Sequence, residues 1–213
     1  MPNLLQYDTP HGIAAFTTGR DCGVEAMGLH LEDLALPRQT HSDHVRWMRE
    51  AGRPEDTDAV ITDVPGLCVC VKTADCIPVL LYDTRRRIVA AAHAGWRGTV
   101  ARIVPKTLCE MGSSPADLHA IIGPGISQKA FEVGDEVYAA FRDAGFPMSR
   151  IAVREAKWHI DLWDANRWLL EEAGVRDIHV AGLCTMQLPA RFYSARREGI
   201  QTGRNLNGIM LRP

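Results

Sequence analysis

The sequence predicts a protein that mixes helices and strands without a regular βαβ repeat. Short apolar runs rich in β-forming residues, at 67–73, 78–83 and 88–92, each end at turn-forming or polar residues, which is typical of buried strands. Other segments, such as residues 162–173, carry apolar side chains at helical spacing. No Gly-x-Gly-x-x-Gly motif opens a helix, and strands and helices do not alternate cleanly.

Taken in order, the elements begin with a strand at residues 11–17 and a turn-rich loop at 18–23. Val45 and Trp47 start a second strand pattern, and residues 59–62 start another. After the three central strands, residues 99–111 predict a helix that Gly98 and Thr99 would cap and that Pro105 would interrupt.

The C-terminal half continues with a strand at residues 118–122, which ends in Gly-Pro-Gly. That turn either presents backbone N–H groups to a ligand or is a simple tight turn. Apolar spacing predicts helices at 135–144 and 162–173 and strands at 178–183 and 207–211.

Length and composition favour one domain with a substantial core. The chain has 213 residues, 46% of them hydrophobic, and no linker, repeat or low-complexity tract divides it. We therefore expect a single domain over residues 1–213. The formal net charge of -2 argues against a dedicated nucleic-acid or anionic-membrane surface. The oligomeric state stays open.

The cysteines and the N-terminus favour a reduced, cytoplasmic protein. No basic segment followed by a long apolar stretch opens the chain, so no signal peptide is expected, and the apolar runs are too short to span a bilayer. The six cysteines include no C-x-x-C pair, and the chain is too large for a disulfide scaffold. Cys68 and Cys70 alternate with valines and are expected to pack on one face of a strand.

Polar, reactive side chains follow the central strands. Thr-Ala-Asp-Cys at 73–76 follows the first of them, and His-Ala-Gly-Trp-Arg-Gly at 93–98 follows the third. Functional residues are often found where a rigid strand ends in a loop. Cys76 and His93 are therefore either a metal-binding pair or a nucleophile and its base.

A third ligand candidate lies upstream, in Gln-Thr-His-Ser-Asp-His at 39–44. His41, Cys76 and His93 would form a set of two histidines and one cysteine. Zinc accepts imidazole nitrogen and thiolate sulfur, and three protein ligands leave a fourth position open. Spacing alone leaves the alternative of ordinary surface or core histidines. His44 is a second imidazole within reach, and Asp43 could orient a ligand.

These motifs resemble those of the YfiH family, also called the multicopper polyphenol oxidase or laccase-domain family. The blocks at 73–76 and 93–98 carry the resemblance, which extends from Gln39 onward through 58–62, 122–126 and 192–204. It implies an α+β fold in four layers, αββα, with mixed sheets. It also implies that the zinc ligands are His41, Cys76 and His93. The family's longer N-terminal segment is shortened here.

The resemblance further implies a zinc-dependent purine nucleoside phosphorylase that acts on adenosine, inosine, guanosine and methylthioadenosine, with phosphate as co-substrate and adenosine deamination as a second activity. Beside Cys76 and His93, the expected catalytic residues are Asp75, the nearest carboxylate, and Arg97. Arg196 and Arg204 lie in a loop punctuated by glycines, where they are either phosphate ligands or solvated side chains.

Three alternatives stay open. Cys76 as nucleophile with His93 as base would give a hydrolase or amidase that acts on peptidoglycan precursors, although a metal-bound thiolate is a poor nucleophile. Copper is less favoured than zinc, and so is a copper-dependent polyphenol oxidase, because the eight histidines are scattered and form no His-x-His pair. A non-catalytic zinc module would need a fourth protein ligand such as His44.

Overall fold

The computed structural model describes residues 3–213, in which strands and helices follow one another irregularly. In chain order the strands are β1 (Leu4–Gln6), β2 (Ile13–Thr18), β3 (Leu34–Ala35), β4 (Val45–Trp47), β5 (Ala59–Thr62), β6 (Cys68–Thr73), β7 (Ile77–Asp83), β8 (Ile88–Ala94), β9 (Leu118–Ile122), β10 (Glu132–Val133), β11 (Ala152–Arg154), β12 (Trp158–Ile160), β13 (Asp177–Val180) and β14 (Asn205–Leu211). The helices are α1 (Trp96–Val100), α2 (Ile103–Met111), α3 (Asp135–Asp143), α4 (Met148–Ile151), α5 (Leu162–Glu172) and α6 (Ala195–Glu198). Within the described residues, none of these helices has the length and apolar character needed to cross a bilayer.

Two large mixed sheets form the centre of the fold. One has the strand order β13-β9-β7-β8-β5-β4, and the other has the order β1-β2-β14-β6-β3. Most neighbours are antiparallel, but β13 pairs parallel with β9, β4 with β5, and β3 with β6. A small third sheet has the order β10-β12-β11. The expected α+β class with mixed sheets is confirmed.

The layers follow from which face of each strand is apolar. Val69 and Val71 of β6 pack against Leu80 of β7 between the two large sheets. On the other face of the six-stranded sheet lie helices α2 and α5, whose apolar residues join one continuous core. The outer face of the five-stranded sheet packs on a 3-10 turn, Val24–Met27, and the loop around it. This outer layer is therefore thin, because the segment over the sheet forms a short 3-10 turn.

The expected packing of Cys68 and Cys70 on one face of β6 is confirmed. Cys68 and Cys70 are buried in the cluster beneath the 3-10 turn, opposite the valines that face the other sheet. All six cysteines lie within the described residues and are free thiols. The next residue on the same face, Lys72, leaves this apolar cluster and reaches a cleft described below.

The helix expected at residues 99–111 is divided in two. Gly95 is the N-cap of α1. The sequence had suggested Gly98 as a cap, but Gly98 lies within the helix. The helical conformation is interrupted at Arg102, which has a φ of 62°, and α2 begins at the next residue. Pro105 therefore lies in the first turn of α2, where its missing N–H leaves no helical hydrogen bond unmade.

A buried polar network fixes the end of β6, from which the candidate site begins. The Asn207 side chain, fully buried, donates to the Val71 carbonyl at 3.3 Å and to Thr73 Oγ1 at 3.0 Å. It also accepts a hydrogen bond of 2.8 Å from Thr17 Oγ1. Because these groups satisfy one another away from water, they hold β2, β6 and β14 in one arrangement.

Candidate metal centre

Three chain segments converge at one end of the six-stranded sheet. Cys76 immediately precedes β7, and His93 is the penultimate residue of β8. These strands are antiparallel neighbours, with Pro78 opposite His93, so the start of one lies beside the end of the other. His41 comes from the loop that precedes β4, which we call the His41 loop (residues 39–44).

The candidate ligand atoms of His41, Cys76 and His93 all lie within 4.8 Å of one another. The Cys76 Sγ is 3.8 Å from His41 Nε2, and the two imidazole rings meet edge to face with centroids 4.9 Å apart. No other group of three or more candidate ligands occurs among residues 3–213. The three predicted ligands are thus brought together from distant parts of the sequence.

His44 does not join this group. Its exposed imidazole lies with Nδ1 3.0 Å from the Asp56 carboxylate and 3.0 Å from the Asp56 carbonyl. Asp43 likewise points elsewhere, since it pairs with Lys106 of α2. The structure therefore offers no fourth protein ligand from the His41 loop, and a closed four-ligand zinc module lacks support.

Asp58 connects two of the ligand segments from a fully buried position. Its carboxylate accepts backbone N–H groups of the His41 loop, from Thr40 at 3.0 Å, His41 at 3.1 Å and Ser42 at 2.9 Å. It also accepts the Ser42 hydroxyl at 2.8 Å. On its other side it lies 2.7 Å from His93 Nδ1. Because that nitrogen is engaged, Nε2 of His93 is the atom left for a ligand.

The electrostatics of the centre favour the ligand form of Cys76. Burial by itself would raise the pKa of Asp58, but hydrogen bonds from His93 and the His41 loop lower it to about 2. Burial would also raise the pKa of the Cys76 thiol, yet the imidazoles of His93 and His41 bring it below its ordinary value. The pKa of His93 is raised, because the Cys76 and Asp58 charges outweigh its burial. A thiolate is the form of cysteine that binds metals.

Gly95 keeps the centre compact. A Cβ atom at this position would lie 2.9 Å from Cys76 Sγ and 3.1 Å from His41 Cδ2. The first of these distances is too short for any side chain to be accommodated without displacing the sulfur. The glycine therefore allows the α1 N-terminus to approach the candidate ligands closely.

A cleft of about 710 Å³ opens over the three ligands. Its walls carry both cationic and apolar side chains, with Phe131 and Ile126 among the latter. Ile200, which is 76% exposed, lies at the rim. The volume lies within the range of small-molecule sites, about 300–1,000 Å³.

Comparison with known proteins identifies the family of the chain. A family model described as multi-copper polyphenol oxidoreductase laccase matches residues 9–212. The chain belongs to this family. A purine nucleoside phosphorylase of Bacteroides thetaiotaomicron is 46% identical over 207 residues, which cover 88% of this chain and 77% of that protein. Adenosine deaminase RL5, from an unknown prokaryotic organism, is 42% identical over 201 residues, covering 86% and 77%.

Solved structures show the same fold. The crystal structure of the hypothetical protein YfiH from Bacillus licheniformis superposes with a TM-score of 0.93 at 26% identity, over 100% of this chain and 97% of that one. YlmD from Geobacillus stearothermophilus superposes with a TM-score of 0.88 at 25% identity, over 100% of both chains. The resemblance that the motifs indicated, to the laccase-domain family, is confirmed.

Of the other site residues expected in this laccase-family chain, Asp75, Arg196 and Arg204 line the cleft. Asp75 accepts the Thr185 hydroxyl and the Arg196 backbone N–H, both at 2.6 Å. It thereby joins the segment beside Cys76 to the start of α6. The Arg204 guanidinium donates to carbonyls of its own loop, including that of Ile200 at 2.7 Å.

Arg97, which was expected to be catalytic, is not among the residues that line the cleft. It is exposed, and its guanidinium carbon lies 4.4 Å from the centroid of the Trp96 ring. Its catalytic role stays a prediction.

Two residues of the site were missed or undervalued from the sequence. Lys72 lines the cleft, and the signal was present, because it interrupts the otherwise apolar strand Cys-Val-Cys-Val-Lys-Thr. Asp58 begins a family motif, but its contacts with both His41 and His93 depend on the pairing of β5 with β8. No local pattern in the sequence announces that pairing.

We expect Asp58→Asn to destabilise the protein by about 3–5 kcal/mol, because it removes the charge from a buried pair and turns an amide towards donors. Urea unfolding of the metal-free protein would measure the free-energy change. Asp63→Asn is the matched control, since Asp63 forms an exposed pair with Arg49 and such pairs contribute at most about 1 kcal/mol. If Asp58→Asn lowered the free energy of unfolding by less than about 1 kcal/mol, Asp58 would not organise the centre.

Proposed function

We propose that this chain is a zinc-dependent purine nucleoside phosphorylase. The observation that carries the proposal is the group of two imidazoles and one thiol, mutually within 4.8 Å, at the base of a cleft lined by cationic side chains. Relatives named purine nucleoside phosphorylase, at 46% and 44% identity, support the activity. The substrates would be adenosine, inosine, guanosine or methylthioadenosine together with phosphate.

The donor set fits zinc. Two imidazole nitrogens and one thiolate are ligands that zinc accepts, and a site with three protein ligands keeps a position open. The hydrogen bond of Asp58 to His93 is the usual support for a metal-binding histidine. Zinc, when bound, supplies Lewis-acid polarisation of an oxygen or nitrogen held at the open position.

Copper chemistry of the multi-copper type has less support. A multi-copper centre requires several clustered histidines. Of the eight histidines in the chain, only His41 and His93 belong to the metal-binding group found among residues 3–213. We therefore propose one zinc site and no copper cluster.

Other residues of the cleft would bind the phosphate and the purine ring. Arg196 and Arg204 would hold phosphate at the rim, since guanidinium groups pair well with its oxygens. Phe131 and Ile126 offer an apolar wall for the purine ring. The N-glycosidic bond breaks and C1′ of the ribose bonds to a phosphate oxygen, while the purine leaves with the electron pair and takes up a proton. Asp75 positions Arg196 by accepting its backbone N–H.

The experiment that tests the proposal is the release of free base from adenosine and inosine with and without phosphate. We expect the free base to be released only when phosphate is present, with ribose 1-phosphate as the second product. Equal rates without phosphate would mean hydrolysis and would contradict a phosphorylase. In the same assay, conversion of adenosine to inosine without phosphate would support the second candidate activity, deamination, for which the relative named adenosine deaminase RL5 provides the ground.

A Cys–His hydrolase that acts on peptidoglycan precursors is the main competing function. The lowered pKa of Cys76 suits a nucleophile as well as a ligand. The two roles exclude each other when a metal is bound, because coordination occupies the thiolate. Metal occupancy of the active protein therefore decides between them.

The single-domain organisation and the cytoplasmic location stay predictions.

A further inference from the structure

Lys72 is a half-buried cation without an anionic partner. Its side chain lines the cleft, and within residues 3–213 its ammonium group makes no hydrogen bond or ion pair. Burial lowers the pKa of Lys72, and the positive charges of Arg53, Arg204 and Arg38 lower it further. An ammonium removed from water and surrounded by like charges is unfavourable until an anion joins it.

The backbone around Lys72 is firmly held. Its N–H donates to Gln39 Oε1 at 2.8 Å, and its carbonyl accepts the Gln39 Nε2 at 2.8 Å. Gln39 belongs to the His41 loop, so these two bonds join β6 to the segment that carries a metal ligand. The Lys72 backbone, from which the side chain reaches the cleft, is thereby held relative to the candidate centre, as the support of a binding group requires.

The neighbouring arginines are partly engaged elsewhere. Arg38 pairs with Glu55 at 2.8 Å, and Arg204 donates to carbonyls of its own loop. Among the cations that line the cleft, Arg196 also donates to backbone carbonyls, so Lys72 is the one whose donors are all unused within residues 3–213. A bound anion would find all three of its N–H donors available.

We propose that Lys72 is a substrate-binding residue that holds a phosphate oxyanion in the cleft. This inference rests on the proposed nucleoside phosphorylase, and it names a residue that the family motifs did not indicate. The oxyanion has two chemical sources. It is either free phosphate, the co-substrate, or the phosphoryl group of a nucleoside 5′-monophosphate bound in the same cleft.

The test measures binding directly, by calorimetric titration of the zinc-loaded protein with inorganic phosphate and, separately, with adenosine 5′-monophosphate. Lys72→Met keeps the aliphatic stem and removes the charge. It is expected to weaken binding of one or both ligands about 10- to 100-fold, the effect of losing a hydrogen bond to a charged group. Lys106→Met is the matched control, because Lys106 pairs with Asp43 outside the cleft, and its binding constants should stay within about twofold.

The two titrations of Lys72→Met distinguish the two sources of the oxyanion. Loss of phosphate affinity assigns Lys72 to the co-substrate, and loss of nucleotide affinity alone assigns it to a phosphorylated substrate. Unchanged affinities for both ligands in a folded, zinc-containing Lys72→Met protein would overturn the inference, as would a wild-type protein that binds neither. Since no turnover is measured, phosphate binding that depends on Lys72 in a protein without phosphorolysis would refute the proposed function alone.

Discussion

Replacing Cys76 by alanine is expected to remove both the metal and the activity. The purified wild-type protein should contain about one zinc per chain, because three ligands converge on one point. The variant keeps two imidazoles and loses the only thiolate of the set, so its zinc content should fall close to zero. Nucleoside cleavage should fall at least about 10³-fold, since a Lewis acid contributes several kcal/mol to the transition state. Element analysis and base release measure the two quantities.

Cys109→Ala is the matched control for this variant, because Cys109 is exposed on α2 and outside the cleft. It should retain full zinc and full activity. Full zinc in Cys76→Ala would show that the ligand assignment is wrong. A protein whose activity rises when a chelator removes zinc, and is then abolished by alkylation of Cys76, would instead favour the Cys–His hydrolase.

Arg204→Ala is expected to lower phosphate-dependent cleavage by about 10²–10³, the effect of removing one charge-assisted contact from a transition state. The guanidinium lies in the cleft wall with Lys72, held by carbonyls of its own loop. Zinc content should stay at the wild-type level, because Arg204 does not contact the ligand group. Steady-state kinetics with phosphate as the varied substrate measure the effect.

Arg85→Ala provides the comparison for Arg204→Ala. Arg85 lies in the turn between β7 and β8, with its side chain 80% exposed and paired with Asp117 at 3.5 Å. Removing it changes the net charge equally but leaves the cleft intact, so its rate should stay within about twofold of wild type. Similar losses in both variants would show that the effect of Arg204→Ala is one of overall charge and not of a bound phosphate.

The elements built from local patterns were predictable. Apolar runs bounded by turn residues predicted β6, β7, β8 and β9 to within a residue or two. Such short apolar runs are typical of strands that are buried on both faces. The alternation in β6 also correctly separated its valines from Cys68 and Cys70. The metal ligands could be proposed since each stands at a strand end or in a loop, but the motifs of a known family were needed to join them.

The remaining features depend on contacts between distant segments. The role of Asp58 arises from the pairing of β5 with β8. Lys72 is only half-buried because it lies beyond the apolar cluster that covers Cys68 and Cys70 on the same face of β6. The helix after β8 begins at Trp96, earlier than the expected caps Gly98 and Thr99 had suggested. Registers and helix starts of this kind are set by tertiary packing, which overrides local propensity.

The cleft is expected to carry out metal-dependent phosphorolysis. The most direct measurement is ³¹P NMR of inosine and phosphate incubated with one preparation of the protein, first after chelator treatment and then after zinc is restored. We predict that ribose 1-phosphate accumulates in step with free hypoxanthine after zinc is restored, and that neither forms in the metal-free sample. Free ribose with no phosphate ester, or equal product in both samples, would contradict the claim.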